Sequence, residues 1–153
     1  MIERSDREYT KDEVLGVMEP LISKWFTERF EGLTEPQAKA IPLIHDRKNV
    51  LVSSPTGSGK TLTAFTSIIN ELTKYASEGI LEERIYCVYI SPLKALANDV
   101  NRNLTEPLRQ MEEVAERTGM QAPGIKVAVR SGDTPQNERQ KMARRPPHIL
   151  ITT

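Results

Sequence analysis
Between Ser54 and Thr61 the chain reads Ser-Pro-Thr-Gly-Ser-Gly-Lys-Thr. Gly59, Lys60 and the Thr61 hydroxyl thus fall at the spacing G-x-x-x-x-G-K-[ST], with Ser54 in place of the first glycine and Gly57 among the residues between. The chemistry such a spacing allows is the holding of phosphate. Gly57 and Gly59 let the backbone curl with no Cβ in the way, so successive N–H groups can face phosphate oxygens. A helix that starts near Lys60 adds the positive end of its dipole at the same place. Lys60 would set its ammonium on the β- and γ-phosphates, and the Thr61 hydroxyl would complete the coordination of Mg²⁺. Ser54, Pro55, Thr56 and Ser58 would form the rest of the cradle. The alternative is a glycine turn before an ordinary helix, with Lys60 solvated. A cation in a first helical turn is electrostatically disfavoured unless an anion is near. The residues therefore point to a chain that binds a nucleoside triphosphate, or descends from one that did.

Such a loop needs a strand before it and a helix after it. Val50-Leu51-Val52 is the predicted strand, and Leu62 to Leu72 carries apolar residues at helical spacing. Upstream the pattern is helical. Thr10-Lys11-Asp12-Glu13 reads as a capping box, and Pro20 opens a second helix whose stripe runs through Leu21, Ile22, Trp25, Phe26 and Phe30 to Gly32. Thr34-Glu35-Pro36-Gln37 is a second capping box. Downstream, Gly79 stops the loop helix, and Ile80-Leu81-Glu82-Glu83 reads as a turn. Ile85 to Ile90 is apolar without alternation, which predicts a strand covered on both faces, as in a parallel sheet. Ser91-Pro92 ends it. A helical pattern follows from Leu93 to Arg117, with a break predicted where Thr105 precedes Pro107. Ile125 to Val129 is a third strand, Arg130-Ser131-Gly132-Asp133 its exit turn, and Thr134-Pro135 the start of a helix ending in Arg144 and Arg145. Pro146-Pro147 stops that helix before a fourth strand, Ile149 to Ile151. Strands alternating with helices predict an α/β fold with a mostly parallel sheet.

Composition narrows the class. The 153 residues suffice for one core, and 21 basic against 21 acidic residues give no whole-chain pull toward nucleic acid. No run approaches the roughly 18 apolar residues of a membrane helix. The charged start, Met1-Ile2-Glu3-Arg4-Ser5-Asp6, is unlike a secretory signal. These features lead us to expect a soluble, cytoplasmic chain with no membrane partner. Cys87, the single cysteine, lies in an apolar run and reads as an inert core thiol.

Five blocks now stand in order: Leu33 to Pro42, Ser53 to Thr61, Ser91 to Asp99, Arg130 to Pro135 and Ile149 to Thr153. In that order they resemble the Q motif, motif I, motif Ia, the Lhr-type block that follows it, and motif Ib of the first RecA-like domain of a superfamily 2 helicase. The nearest match is the large helicase-related (Lhr-type) family of DNA-repair and RNA-processing translocases, over nearly the whole chain from about Leu21. The resemblance implies a partial RecA-like P-loop ATPase domain, a mostly parallel sheet with flanking helices, preceded by a helical N-terminal segment. Residues 1–47 would be that segment with its Q motif, and 48–153 the first half of the ATP-binding domain. It implies ATP and Mg²⁺ as cofactors, with Lys60 and Thr61 catalytic and Thr61 on the metal. Gln37 would read the adenine edge and Phe30 cover the adenine face. Pro92, Lys94, Asn98, Arg130 and Gly132 would touch a nucleic acid, a single strand of DNA or RNA. The remainder of a helicase polypeptide would be the other partner.

The bland readings stay beside these. Gln37 has a local task as a capping-box residue, and Lys94 could be solvated charge. The sequence holds no D-E-x-H block after a strand and no second RecA-like domain with arginine fingers, so binding without turnover is expected. The end inside the motif Ib resemblance suggests the first half of a motor domain. A non-catalytic binding module is the alternative, or a P-loop enzyme of another class. A GTPase is disfavoured because N-K-x-D and D-x-x-G are both missing. Without its usual neighbours, the Val50–Val52 strand should pair out of family order or be completed by a second copy or further chain.

Overall fold
The computed structural model describes residues 2–153, in two compact units, one up to Lys74 and one from Tyr75 onward. The first unit is helical: α1 (Lys11–Gly16), α2 (Pro20–Arg29), α3 (Glu35–His45) and α4 (Lys60–Ser77), whose last residues enter the second unit. Both capping boxes form. The Thr10 N–H donates to Glu13 Oε2 at 2.8 Å while the Glu13 N–H donates to Thr10 Oγ1 at 3.2 Å. The Thr34 N–H donates to Gln37 Oε1 at 2.8 Å. Each box satisfies donors that a helix start leaves orphaned. Val14, Ile22, Phe26 and Ile69 are wholly buried and form the heart of this unit. Asn70, also buried, stitches the chain between α1 and α2: its side chain accepts from the Glu19 N–H and donates to the Val17 carbonyl.

Val50-Leu51-Val52 is not a strand. The segment carries no ladder hydrogen bonds, and Leu51 is 85% exposed. Apolar character alone cannot make a strand, because a strand exists only through a partner that pairs its backbone groups. Among the described residues no other strand pairs with this one, in family order or out of it.

The second unit holds a three-stranded sheet, β1 (Cys87–Ile90), β2 (Val127–Arg130) and β3 (Ile149–Thr152), in the order β1-β3-β2 with both pairs parallel. Helix α5 (Lys94–Thr118) connects β1 to β2, and α6 (Gln136–Arg144) returns from β2 to the central β3. Ile149 and Ile151 of β3 are fully buried, each stabilising the sheet by about 1.5–3 kcal/mol. The predicted covering of β1 on both faces is not observed: Val88 is 53% and Ile90 72% exposed. A gap-free apolar run does not reveal whether anything is packed on either side of it.

Helix α5 also departs from expectation, running through Pro107 without a break. Proline removes one i→i−4 bond and crowds the carbonyl four residues back. That carbonyl belongs to Asn103, which is exposed and open to water. Seven buried side chains, from Ala97 to Ala115, hold both halves of the helix on the same core. Gly119 ends it with φ of 71°, the left-handed cap glycine takes without strain. No helix among the described residues is long and apolar enough to cross a membrane.

Candidate functional site
The 54–61 loop lies in the first unit and delivers its last residues into α4. Gly57 and Gly59 take φ of 79° and 90°, a region that side chains with a Cβ rarely enter. Only one of the two is also crowded. A Cβ on Gly57 would meet nothing, whereas one on Gly59 would sit 3.2 Å from Thr34 Oγ1 and 3.9 Å from Gln37 Nε2. The start of α3 and the loop are therefore packed against each other. Ser54, which departs from glycine, has a use here: its hydroxyl pairs with that of Ser58 at 2.6 Å across the loop.

The Lys60 ammonium turns back into the loop, donating to the Pro55 carbonyl at 2.7 Å and to the Ser54 carbonyl. It thus sits among the backbone groups that would surround a phosphate, held by carbonyls that an anion would replace. Thr61 is exposed in the first turn of α4, and Thr56 is exposed at the loop tip. Thr63 anchors the turn from behind, its N–H and hydroxyl both donating to the Gly59 carbonyl, at 2.9 and 2.8 Å. The loop has two turn glycines, a cation and an exposed hydroxyl at a helix start, which fit a triphosphate with Mg²⁺.

Gln37 and Phe30 stand differently. Gln37 is 2% exposed and its Oε1 is engaged by Thr34, so the amide nitrogen beside the loop is what remains to address a ligand. The Phe30 ring packs edge-on to Trp25 at 5.6 Å and tilted on Phe26 at 4.8 Å. Its contacts are those of an aromatic cluster, and it is not brought to the loop by any of them.

In the second unit the parallel strands bring their carboxyl ends to one edge, where ligands of open α/β sheets bind. Pro92 and Lys94 follow β1, Asn98 lies one turn further along α5, Arg130 ends β2, and Gly132 occupies the next turn. Lys94 Nζ donates to Asp133 Oδ2 at 2.6 Å and would lie 3.8 Å from a Cβ on Gly132. A Cβ at 132 would meet the Lys94 side chain in ordinary van der Waals contact. Pro92, Asn98 and Arg130 are exposed.

Two residues that the sequence did not single out hold this edge together. Arg139 of α6 donates from Nε to the Thr134 carbonyl at 2.8 Å and from one terminal nitrogen to the carbonyls of Ser131 and Gly132. It lies near the start of α6, between Glu138 and Gln140, and nothing in its local sequence marks a side chain that reaches back to the preceding turn. Asp133 neutralises Lys94, a pairing across 39 positions that no local pattern announces. At the opposite end of the sheet, His148 is buried and its Nδ1 accepts from the Lys126 N–H at 2.9 Å. Burial, and then the nearby Lys126 ammonium, hold its imidazole below the ordinary histidine value, against a weaker upward pull from Glu83 and a bond to the Glu82 main chain. Burial pushes the Cys87 thiol up, as suits an unreactive side chain.

Comparison with known proteins follows the same lines. The family model described as DEAD/DEAH box helicase matches residues 34–153. The chain is 54% identical over its full length to the ATP-dependent helicase Lhr-Core of Methanothermobacter thermautotrophicus, spanning 18% of that protein. It is similar to the structure of Mycobacterium smegmatis helicase Lhr bound to ssDNA and AMP-PNP, with a TM-score of 0.83 and 48% identity. That match covers 92% of this chain and 17% of the other. The DEAD-box helicase Mss116 bound to ssRNA and UDP-BeF shares the fold, with a TM-score of 0.77 at 24% identity over 99% of this chain and 29% of its own. The chain thus spans less than a fifth of the Lhr relatives it matches.

Proposed function
The chain belongs to the DEAD/DEAH box helicase family, and from that premise we propose that it forms the ATP-gripping part of an ATP-dependent nucleic-acid helicase. The observation that carries the reading is the 54–61 loop, two positive-φ glycines around an ammonium held by two backbone carbonyls. Ser54 to Thr61 hold the nucleotide phosphates, Lys60 bears on the β- and γ-oxygens, and Thr61 supplies a ligand to Mg²⁺. Bound Mg²⁺ supplies charge neutralisation to the phosphates. Gln37 addresses the adenine through its remaining amide N–H, and Phe30 covers the base only if the aromatic cluster opens. Pro92, Lys94, Asn98, Arg130 and Gly132 take the phosphates of one DNA or RNA strand. The structure of the Mycobacterium smegmatis relative, which contains ssDNA and AMP-PNP, supports both assignments. The remainder of a helicase polypeptide completes the motor, in the cytoplasm.

The 153 residues contain no D-E-x-H block and no arginine finger assigned by the resemblance. An arginine finger is worth about 10³–10⁵ in rate where one acts. The chain alone therefore binds Mg-ATP without turning it over. The test is a thermal melt with and without Mg-ATP, beside a phosphate-release assay. Ligand at 100 times its Kd stabilises by about 2.7 kcal/mol, and Lys60→Ala should erase the shift. A shift that survives Lys60→Ala would overturn the binding site, and steady phosphate release would overturn the claim of no turnover.

A further inference from the structure
The free edge of β2 faces a groove of about 530 Å³, lined by Val127, Ala128 and Val129 and flanked by residues of α5 and α6. Which backbone groups point into it follows from the ladder. The Ile149 N–H donates to the Lys126 carbonyl, and the parallel register sets Val127 opposite Ile149 and Val129 opposite Ile151. In a parallel pair, a residue bonds to the two neighbours of the one opposite. Lys126, Ala128 and Arg130 therefore serve β3. The N–H and C=O of Val127 and Val129 face away from it, into the groove, and have no partner among the described residues.

We propose that this groove binds an extended polypeptide segment, which adds to the sheet as a fourth strand beside β2. Four alternating donors and acceptors along one edge are what a peptide strand satisfies, in the manner of other edge-adding ligands. A nucleic-acid backbone does not match them, because phosphate oxygens accept hydrogen bonds and cannot satisfy the Val127 and Val129 carbonyls. On the groove wall Asp133 is paired with Lys94 at 2.6 Å and Glu138 with Lys141 at 3.0 Å. Its volume is in the range of about 300–1,000 Å³ typical of ligand pockets, and four strand residues run about 13 Å.

The walls specify the ligand further. The right-handed crossovers that parallel strands take, β1 to β2 through α5 and β2 back to β3 through α6, would put the two helices on opposite faces of the sheet. Side chains of an added strand alternate between those faces. One set meets Asn98 and Asn101 of α5, the other Pro135 and Met142. The segment recognised therefore alternates small polar residues with apolar ones. Lys94 and Asn98 at one end are shared with the proposed nucleic-acid edge, whereas Val127, Val129 and Met142 belong to the groove alone.

The test is a titration of the isotopically labelled chain with the peptide acetyl-Lys-Val-Thr-Val-Thr-Val-Lys-amide, followed by amide resonances and hydrogen exchange. The expected result is that the Val127 and Val129 amides shift and exchange at least tenfold more slowly. N-methylation of every second peptide nitrogen, in either register, should abolish binding in one of the two. Val129→Pro removes an N–H that β3 does not use, and should weaken binding at least tenfold with the sheet resonances unchanged. The N-methylated peptides make the same test on the unaltered chain. Absence of shifts at Val127 and Val129, equal binding by both N-methylated peptides, or the same shifts produced by oligo-dT would each overturn the proposal.

Discussion
Replacing Gly59 by alanine tests the loop and its support together. At φ of 90°, a Cβ costs about 1–2 kcal/mol, offset by about 0.4–1 kcal/mol because alanine restricts the unfolded chain. Gly57, at φ of 79° in open space, carries that balance alone. Gly59 carries more, since its Cβ would press on Thr34 Oγ1 at 3.2 Å with Thr34 Cγ2 close behind at 3.5 Å. Displacing that packed N-cap adds roughly 1 kcal/mol, the size of a cap's own contribution. Gly59→Ala should therefore melt about 2–4 °C below Gly57→Ala, by the usual conversion for domains of this size. A cycle with Thr34→Ala isolates the contact. Thr34→Ala alone loses a cap worth about 1 kcal/mol, but in the Gly59→Ala background it also removes the atoms in the way. The double variant should recover about 1 kcal/mol relative to the sum, as coupled neighbours do. Equal melts for the two glycine variants, or an additive cycle, would refute the claim that α3 and the loop bear on each other.

Two further outcomes follow from the second unit. His148 folds with a lowered pKa, so the folded state favours its neutral form. Its effect is nil above the unfolded value of about 6.5, and stability falls as pH drops from there toward the lower folded value; a denaturant series from pH 7.5 to 5 should show the loss, and His148→Gln should remove that portion of the slope. Pro107→Ala restores an N–H to α5 for the Asn103 carbonyl, and should raise the midpoint by an amount equivalent to about 1–2 kcal/mol, helix propensity outweighing the lost rigidity of the unfolded chain. An unchanged or lowered melt would show that α5 is shaped around its proline.

What could be read in the sequence was local. Thr10 with Glu13 and Thr34 with Gln37 specify their helix starts within four residues, and both formed as caps. The glycines of the loop and Gly79 announce their positive φ for the same reason. The three strands of the sheet were legible to within two residues, because Gly and Pro bracket their apolar runs. Val50–Val52 was misread because pairing is a property of two segments, and the neighbour is not written in the strand itself. Pro107 was misread in the opposite sense. Its penalty is local, but the seven buried side chains that outweigh it are spread over 19 positions, from Ala97 to Ala115. The Lys94–Asp133 pair and the grip of Arg139 join segments that only the folded chain brings together.

The grip of Arg139 has a mechanical consequence. Three carbonyls of the 131–134 turn are tied to one guanidinium that belongs to α6, so the turn is carried by the helix as well as by the strand before it. Glu138 and Met142, on the same helix, line the groove beside β2. A tilt of α6 by a few degrees would act as a rocker arm: as its wall of the groove widened or narrowed, the carboxylate of Asp133 would swing against the ammonium of Lys94. Occupancy along the sheet edge would then be transmitted to the charge at its end with no atom of the strand having moved.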